Sequence, residues 1–143
     1  MDIQILENEN NLQVLIKCKQ ADEQVNRLKA HIELFDNKIQ AKQENGYCFV
    51  NALDVYYFES VDERVFLYTE DNVMEVKQRL YALEELLPKQ DFIRISKSQI
   101  VNINKIKALK PELNRTILAT MCNGEQLYIS RKYVKEFRSL LAI

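Results

Sequence analysis

The sequence predicts an α+β fold, mainly β, with flanking short helices, preceded by a β-hairpin and an amphipathic helix. Three observations predict it. From Tyr47 onward, short runs rich in Val, Tyr and Phe alternate with polar turns, the pattern of a meander. Helical spacing, with apolar residues recurring at three- and four-residue intervals, follows Asp22, precedes Pro88 and follows Ser130. Late in the chain, Asn123-Gly124 joins two of the β-type runs with a strong hairpin signal.

The opening stretch "IQILENENNLQVLIKC" alternates on both sides of a polar centre, Ile3 and Ile5 before it and Val14, Ile16 and Cys18 after it. It reads as a hairpin. Asp22 then offers an N-cap for "DEQVNRLKAHIELFDNKIQAKQ", where Val25, Leu28, Ile32, Phe35 and Ile39 form one narrow apolar seam. Asn45-Gly46 supplies the stop, because both residues tolerate the left-handed backbone of a helix C-terminus. The seam either packs on its own domain or pairs with the same helix of a second chain. Residues 1–45 thus read as a dimerisation or partner extension, and 46–143 as a second unit.

In that unit the runs "YCFVNA", "DVYYFES", "RVFLYT" and "NVMEV" are strand candidates. A helix over "EVKQRLYALEELL" carries Val76, Leu80, Leu83 and Leu87 on one face and is closed by Pro88. The strands "FIRIS", "IKALK", "TILATMC" and "EQLYIS" follow. A last helix, Arg131 to Leu141, starts at the N-cap Ser130 and turns Val134, Phe137, Leu140 and Leu141 inward.

Composition narrows the function. The chain has 143 residues, 47% of them hydrophobic, with only two Gly and two Pro, so it is long enough for one folded domain with its own core. No apolar run approaches the roughly 18 residues that span a bilayer, and Met1-Asp2 does not start a signal peptide, so a cytoplasmic protein is expected. The cysteines Cys18, Cys48 and Cys122 are odd in number and far apart, which reads as buried free thiols. One histidine, His31, cannot build a Cys/His metal centre, and it is expected at the surface of its helix. No nucleophile has a His partner, and two glycines in different turns cannot cradle a phosphate. No enzyme, cofactor or metal is expected.

The formal charge of −1 conceals a division. Residues 1–91 hold ten Lys/Arg against eighteen Asp/Glu, a net of −8, whereas residues 92–143 hold ten against three, a net of +7. Such asymmetry points to a polyanion bound by the second part, the alternative being a solvated basic face. The cations there lie among Ser and Asn in turns and at a helix start. Arg forks onto guanine O6 and N7, Lys reaches the same edge or a phosphate, and short polar groups suit phosphate oxygens. Arg131 and Lys132 at a helix N-terminus oppose the macrodipole, which favours an external anion nearby.

The pattern Phe92-x-Arg94-Ile95-x-Lys97-Ser98-x-Ile100-Val101-Asn102, then Ile106, the Asn123-Gly124 hairpin and Ser130-Arg131-Lys132-Tyr133, resembles the LytTR family of bacterial DNA-binding domains. Val55-Tyr56-Tyr57-Phe58-Glu59-Ser60, the run Val65 to Thr69 and Leu86-Leu87 fit the same template, so the resemblance covers roughly residues 46 to 141. It implies an elongated β fold that reads neighbouring major grooves of double-stranded DNA with loops. Carried over position by position, Lys97, Arg131 and Arg64 are the base-reading candidates. Arg94, Ser98, Asn102, Lys132 and Tyr133 are candidates for phosphate contact or loop positioning, Asn102 also for a purely structural role. Where many relatives have His before the central basic residue, this chain has Ser96, a shorter side chain.

The same resemblance, to stand-alone members that lack a receiver domain, implies a transcription regulator. Its expected partners are double-stranded DNA, a second copy of the chain, and a membrane-protein regulatory partner. A protein-interaction or dimerisation module with a non-specific basic face is the competing reading. RNA binding ranks lower, because the basic part lacks clustered aromatics for base stacking.

Overall fold

The computed structural model describes residues 1–35 and 37–143. Helix α1 (Glu23–Phe35) is followed by strands β1 (Lys38–Gln43), β2 (Gly46–Asn51), β3 (Tyr57–Val61), β4 (Arg64–Tyr68) and β5 (Val73–Val76). Then come α2 (Leu80–Leu86), β6 (Phe92–Ser96), β7 (Gln99–Asn102), β8 (Ile106–Pro111), β9 (Ile117–Met121), β10 (Gln126–Ile129) and α3 (Arg131–Leu141). The fold is α+β and mainly β, as the sequence predicts. Seven strands form one antiparallel sheet in the order β2-β1-β5-β4-β3-β7-β6, and β10-β9-β8 form a second.

Alternation explains two cores. On one side of the large sheet, Ile39, Ala41, Val65, Leu67, Phe58 and Ile100 pack against Leu34 of α1 and Leu80 and Leu83 of α2. On the other side, Tyr57, Ile93, Ile95 and Val101 meet Ile117, Ala119, Met121, Leu127 and Ile129 of the small sheet, with Phe137 of α3 closing the layer. Tyr57 and Tyr68 stack there with ring centroids 4.2 Å apart. Burial raises the Tyr57 phenol well above its ordinary value, and a Glu125 hydrogen bond adds to the shift. Among the described residues no helix is long and apolar enough to cross a membrane.

Several sequence expectations change. Residues 1–21 form no strand pair, and Ile3, Ile5, Leu12 and Val14 are exposed. A two-stranded ribbon is marginal without a third strand or a covering helix, and here neither flanks it. The first helix stops at Phe35 rather than running to Gln43; Asp36, inside the expected helix, lies outside the described residues. Ile39 therefore leaves the seam: in β1 it alternates with Ala41 into the sheet core, at 3% exposure. Spacing of three and four is compatible with helix until the Ala41 alternation competes, and pairing with β2 decides. Asn45-Gly46, expected as a helix stop, lies at the β1–β2 turn.

Val76 belongs to β5, pairing with Val65 and Ala41, so α2 begins at Leu80 instead of at Glu75. Gln99–Asn102, not expected as a strand, pairs with β3 and β6. The thiols are not buried: Cys18 and Cys122 are exposed and Cys48 is half-buried. Asn123-Gly124 does make the β9–β10 turn, with Gly124 at φ +92° and the Asn123 Oδ1 accepting from Glu125 N at 3.0 Å.

Candidate nucleic-acid interface

Three segments converge at one end of the large sheet. β3 and β7 pair antiparallel, Glu59 opposite Gln99, so the β3–β4 turn (Asp62-Glu63) and the β6–β7 turn (Lys97-Ser98) emerge side by side. Ser60 N donates to Ser98 O at 2.8 Å and ties them together. The third segment is the start of α3. A register shift between Arg94 and Ser96 marks a β-bulge at Ile95. The Ile95 side chain is fully buried, and its carbonyl accepts from Ser130 N at 2.8 Å. Arg131 thus stands one residue from an anchor that lies two residues before Lys97.

Lys97, Arg131 and Lys132 are exposed, and among the described residues none of the three enters an ion pair. Lys132 Nζ lies 5.7 Å from the centroid of the half-buried Tyr133 ring, an arrangement that holds the ammonium near the surface. Ser130 has the extended backbone of an N-cap, but its hydroxyl makes no cap bond, so Ser130 N and not the side chain fixes the helix start.

Arg94 is a strut. Its side chain is only 16% exposed; Nη1 donates to Lys97 O at 2.6 Å and Nη2 to Glu84 Oε2 of α2 at 3.2 Å. With Nη1 and Nη2 engaged and Nε buried without a partner among the described residues, the guanidinium offers little exposed edge to a phosphate and braces the Lys97 turn. Ser98 is half-buried, and its amide donates to Ser96 Oγ at 3.2 Å.

Of the two roles open to Asn102, its position supports the structural one. It is fully buried at the far end of β7; Nδ2 donates to Val55 O at 2.8 Å and Oδ1 accepts from Asn104 N at 3.0 Å. Buried amides persist only when hydrogen-bonded, and this one cannot reach DNA. Nearby, Asp91 Oδ1 accepts from Asn104 Nδ2 at 2.7 Å and lies 3.5 Å from Nδ1 of His31, whose side chain is 45% exposed at the surface of α1.

Arg64 is on the right strand but is engaged. Its Nε and Nη2 donate to Glu75 Oε1 and Oε2 at 3.2 and 2.7 Å, and its guanidinium lies 5.2 Å from the centroid of the Phe66 ring. The hydrogen bonds raise the Arg64 pKa and hold the Glu75 carboxyl below the usual carboxylate range. The adjoining turn carries Asp62 and Glu63, both with positive φ. The structure therefore gathers Lys97, Ser98, Arg131, Lys132 and Tyr133, converts Arg94 to support, and removes Asn102. Sequence reasoning missed the Ile95 bulge, which leaves no compositional trace.

The comparisons agree with the fold. The family model for the LytTr DNA-binding domain matches residues 45–142. Sensory transduction protein LytT of Bacillus subtilis (strain 168) is 30% identical over 131 residues, 92% of this chain and 54% of that protein. An uncharacterized HTH-type transcriptional regulator of Staphylococcus aureus (strain NCTC 8325 / PS 47) is 39% identical over 94 residues, 66% of this chain and 63% of its own length. The chain thus spans between about half and two thirds of these curated relatives. A solved LytTr DNA-binding domain from Bacillus cereus superimposes with a TM-score of 0.72 at 36% identity, covering 76% of this chain and 99% of that one.

Proposed function

The chain belongs to the LytTr DNA-binding domain family, and from that premise we propose that it is a sequence-specific regulator of transcription that reads double-stranded DNA. Loops of the β scaffold enter neighbouring major grooves. Lys97 and Arg131 carry base contacts, Arg131 by the forked pairing that suits guanine. Ser98, Lys132 and Tyr133 contact phosphates, and Arg94 fixes the loop that offers Lys97. Arg64 contributes only when DNA competes with Glu75 for its guanidinium. One observation supports the reading most: the Ser130 N to Ile95 O hydrogen bond ties the start of α3 beside the strand that leads to Lys97, and among the described residues neither Lys97 nor Arg131 enters an ion pair.

Selection of bound duplexes from a random pool, followed by titration at several salt concentrations, tests it. The expected affinity for the selected duplex exceeds that for random duplex by about 10³ or more and falls linearly with salt on logarithmic axes. Absence of any preferred duplex would leave only non-specific binding and contradict the proposal.

A second copy is the proposed partner of α1. Leu34 docks the helix on its own core, while Val25, Leu28 and Ile32 are half-buried and Phe35 is 59% exposed. That partly open seam suits a shallow helix pair. Sedimentation of wild type and Leu28→Glu checks it: the expected result is a wild-type dimer and a folded monomeric variant, and an unchanged state in both would remove the seam from consideration.

A further inference from the structure

The tip of the β8–β9 hairpin, Leu113-Asn114-Arg115, has no part in the contacts assigned above. Pro111 pairs with Ile117 and Ile117 with Ile129, so the tip extends from the same row that ends in Ser130. It stands beside the start of α3, at the Lys97 and Arg131 end of the molecule. Glu112 N donates to Thr116 O at 2.9 Å and Thr116 Oγ1 to Leu113 O at 3.0 Å, closing the loop.

Asn114 and Arg115 are both left-handed, with φ of 63° and 62°. Hairpin turns with two successive positive φ angles favour Asn followed by Gly, since a Cβ at either place crowds the next carbonyl. Asn114 suits its place; Arg115 does not. The Arg115 side chain is exposed, and among the described residues it makes no hydrogen bond or ion pair that would offset the strain. Lys110, the other cation near this tip, lies 3.8 Å from Glu112. The Arg115 guanidinium, held outward on this backbone and without an internal partner among the described residues, is available to an external anion.

We propose that Arg115 clamps a DNA phosphate on the flank of the groove entered at the start of α3, giving the interface a fourth contact point. The inference rests on the DNA-binding reading above. Its guanidinium fork matches the oxygens of a phosphate.

Titration of the full-length wild type, Arg115→Ala, Arg115→Gly and Arg115→Lys against a selected and a random duplex, over a range of salt, tests the clamp. Arg115→Ala and Arg115→Gly are expected to weaken binding to both duplexes alike, roughly eightfold at 0.1 M salt, and to reduce the salt slope by about 1. Arg115→Lys is expected to keep the slope. Arg115→Gly should also raise the thermal midpoint, because glycine adopts this backbone freely, so its weaker binding cannot be ascribed to unfolding. Unchanged affinity and slope in Arg115→Gly, with wild-type binding intact, would overturn the clamp and leave the DNA reading standing. A loss confined to the selected duplex would overturn the phosphate assignment, and failure of the wild type to bind either duplex would remove both.

Discussion

The β6–β7 turn is braced from inside the protein, whereas the neighbouring β3–β4 turn is braced from its surface. Arg94 holds the first from beneath, and Asn102 pins the other end of the same hairpin in full burial. Arg64 stabilises the second through Glu75, in contact with water and open to exchange. The Arg94 guanidinium, 16% exposed, is less screened than the Arg64 guanidinium, 60% exposed, so its charge-assisted bonds hold one geometry more firmly. Of the two adjacent turns, the Lys97 turn is therefore the more firmly held.

The largest expected effect comes from the deepest brace. Asn102→Ala leaves Val55 O and Asn104 N without their partner and should lower stability by about 3 kcal/mol, read by urea unfolding. Arg94→Ala should cost about 2 kcal/mol and speed amide exchange at Lys97 and Ser98, because Glu84 and Lys97 O lose one shared cation. Arg94→Lys should not restore the turn, since one ammonium replaces a two-pronged fork. A variant with normal stability and exchange would erase the distinction between the turns.

Glu75→Gln should have the smallest effect. The Glu75 pKa is lowered in the folded protein, chiefly by the Arg64 hydrogen bond, so the pair contributes above the ordinary glutamate range and loses that contribution as pH falls through the lowered value. The stability difference between wild type and Glu75→Gln should be small at neutral pH, shrink with salt, and vanish in acid. A difference that grows toward acid would mean that the folded protein favours the protonated Glu75 carboxyl, contrary to its pairing with Arg64 and Lys42.

Much of the fold is legible because local signals agree with packing. The α3 face, the Asn123-Gly124 turn and strands β3, β4, β6, β9 and β10 combine clear periodicity with burial on the expected side. The amino-terminal part is less legible, since Ile39 satisfies a helical seam and a strand equally well and only the β2 partner resolves it. The site divides similarly. Lys97 and Arg131 stand exposed, as residue type and spacing lead one to expect, but burial separates Arg94 and Asn102 from phosphate contact, and burial is a property of the third dimension. Arg115 carries no sequence signal, because its left-handed backbone is set by the hairpin register.

The most direct test compares wild type and Arg131→Ala on a selected duplex and on a random one at equal salt. The account predicts a loss of about 1–3 kcal/mol on the selected duplex and little change on the random one. Equal losses on both would contradict it, reducing Arg131 to a phosphate contact and leaving the sequence preference without its principal reader.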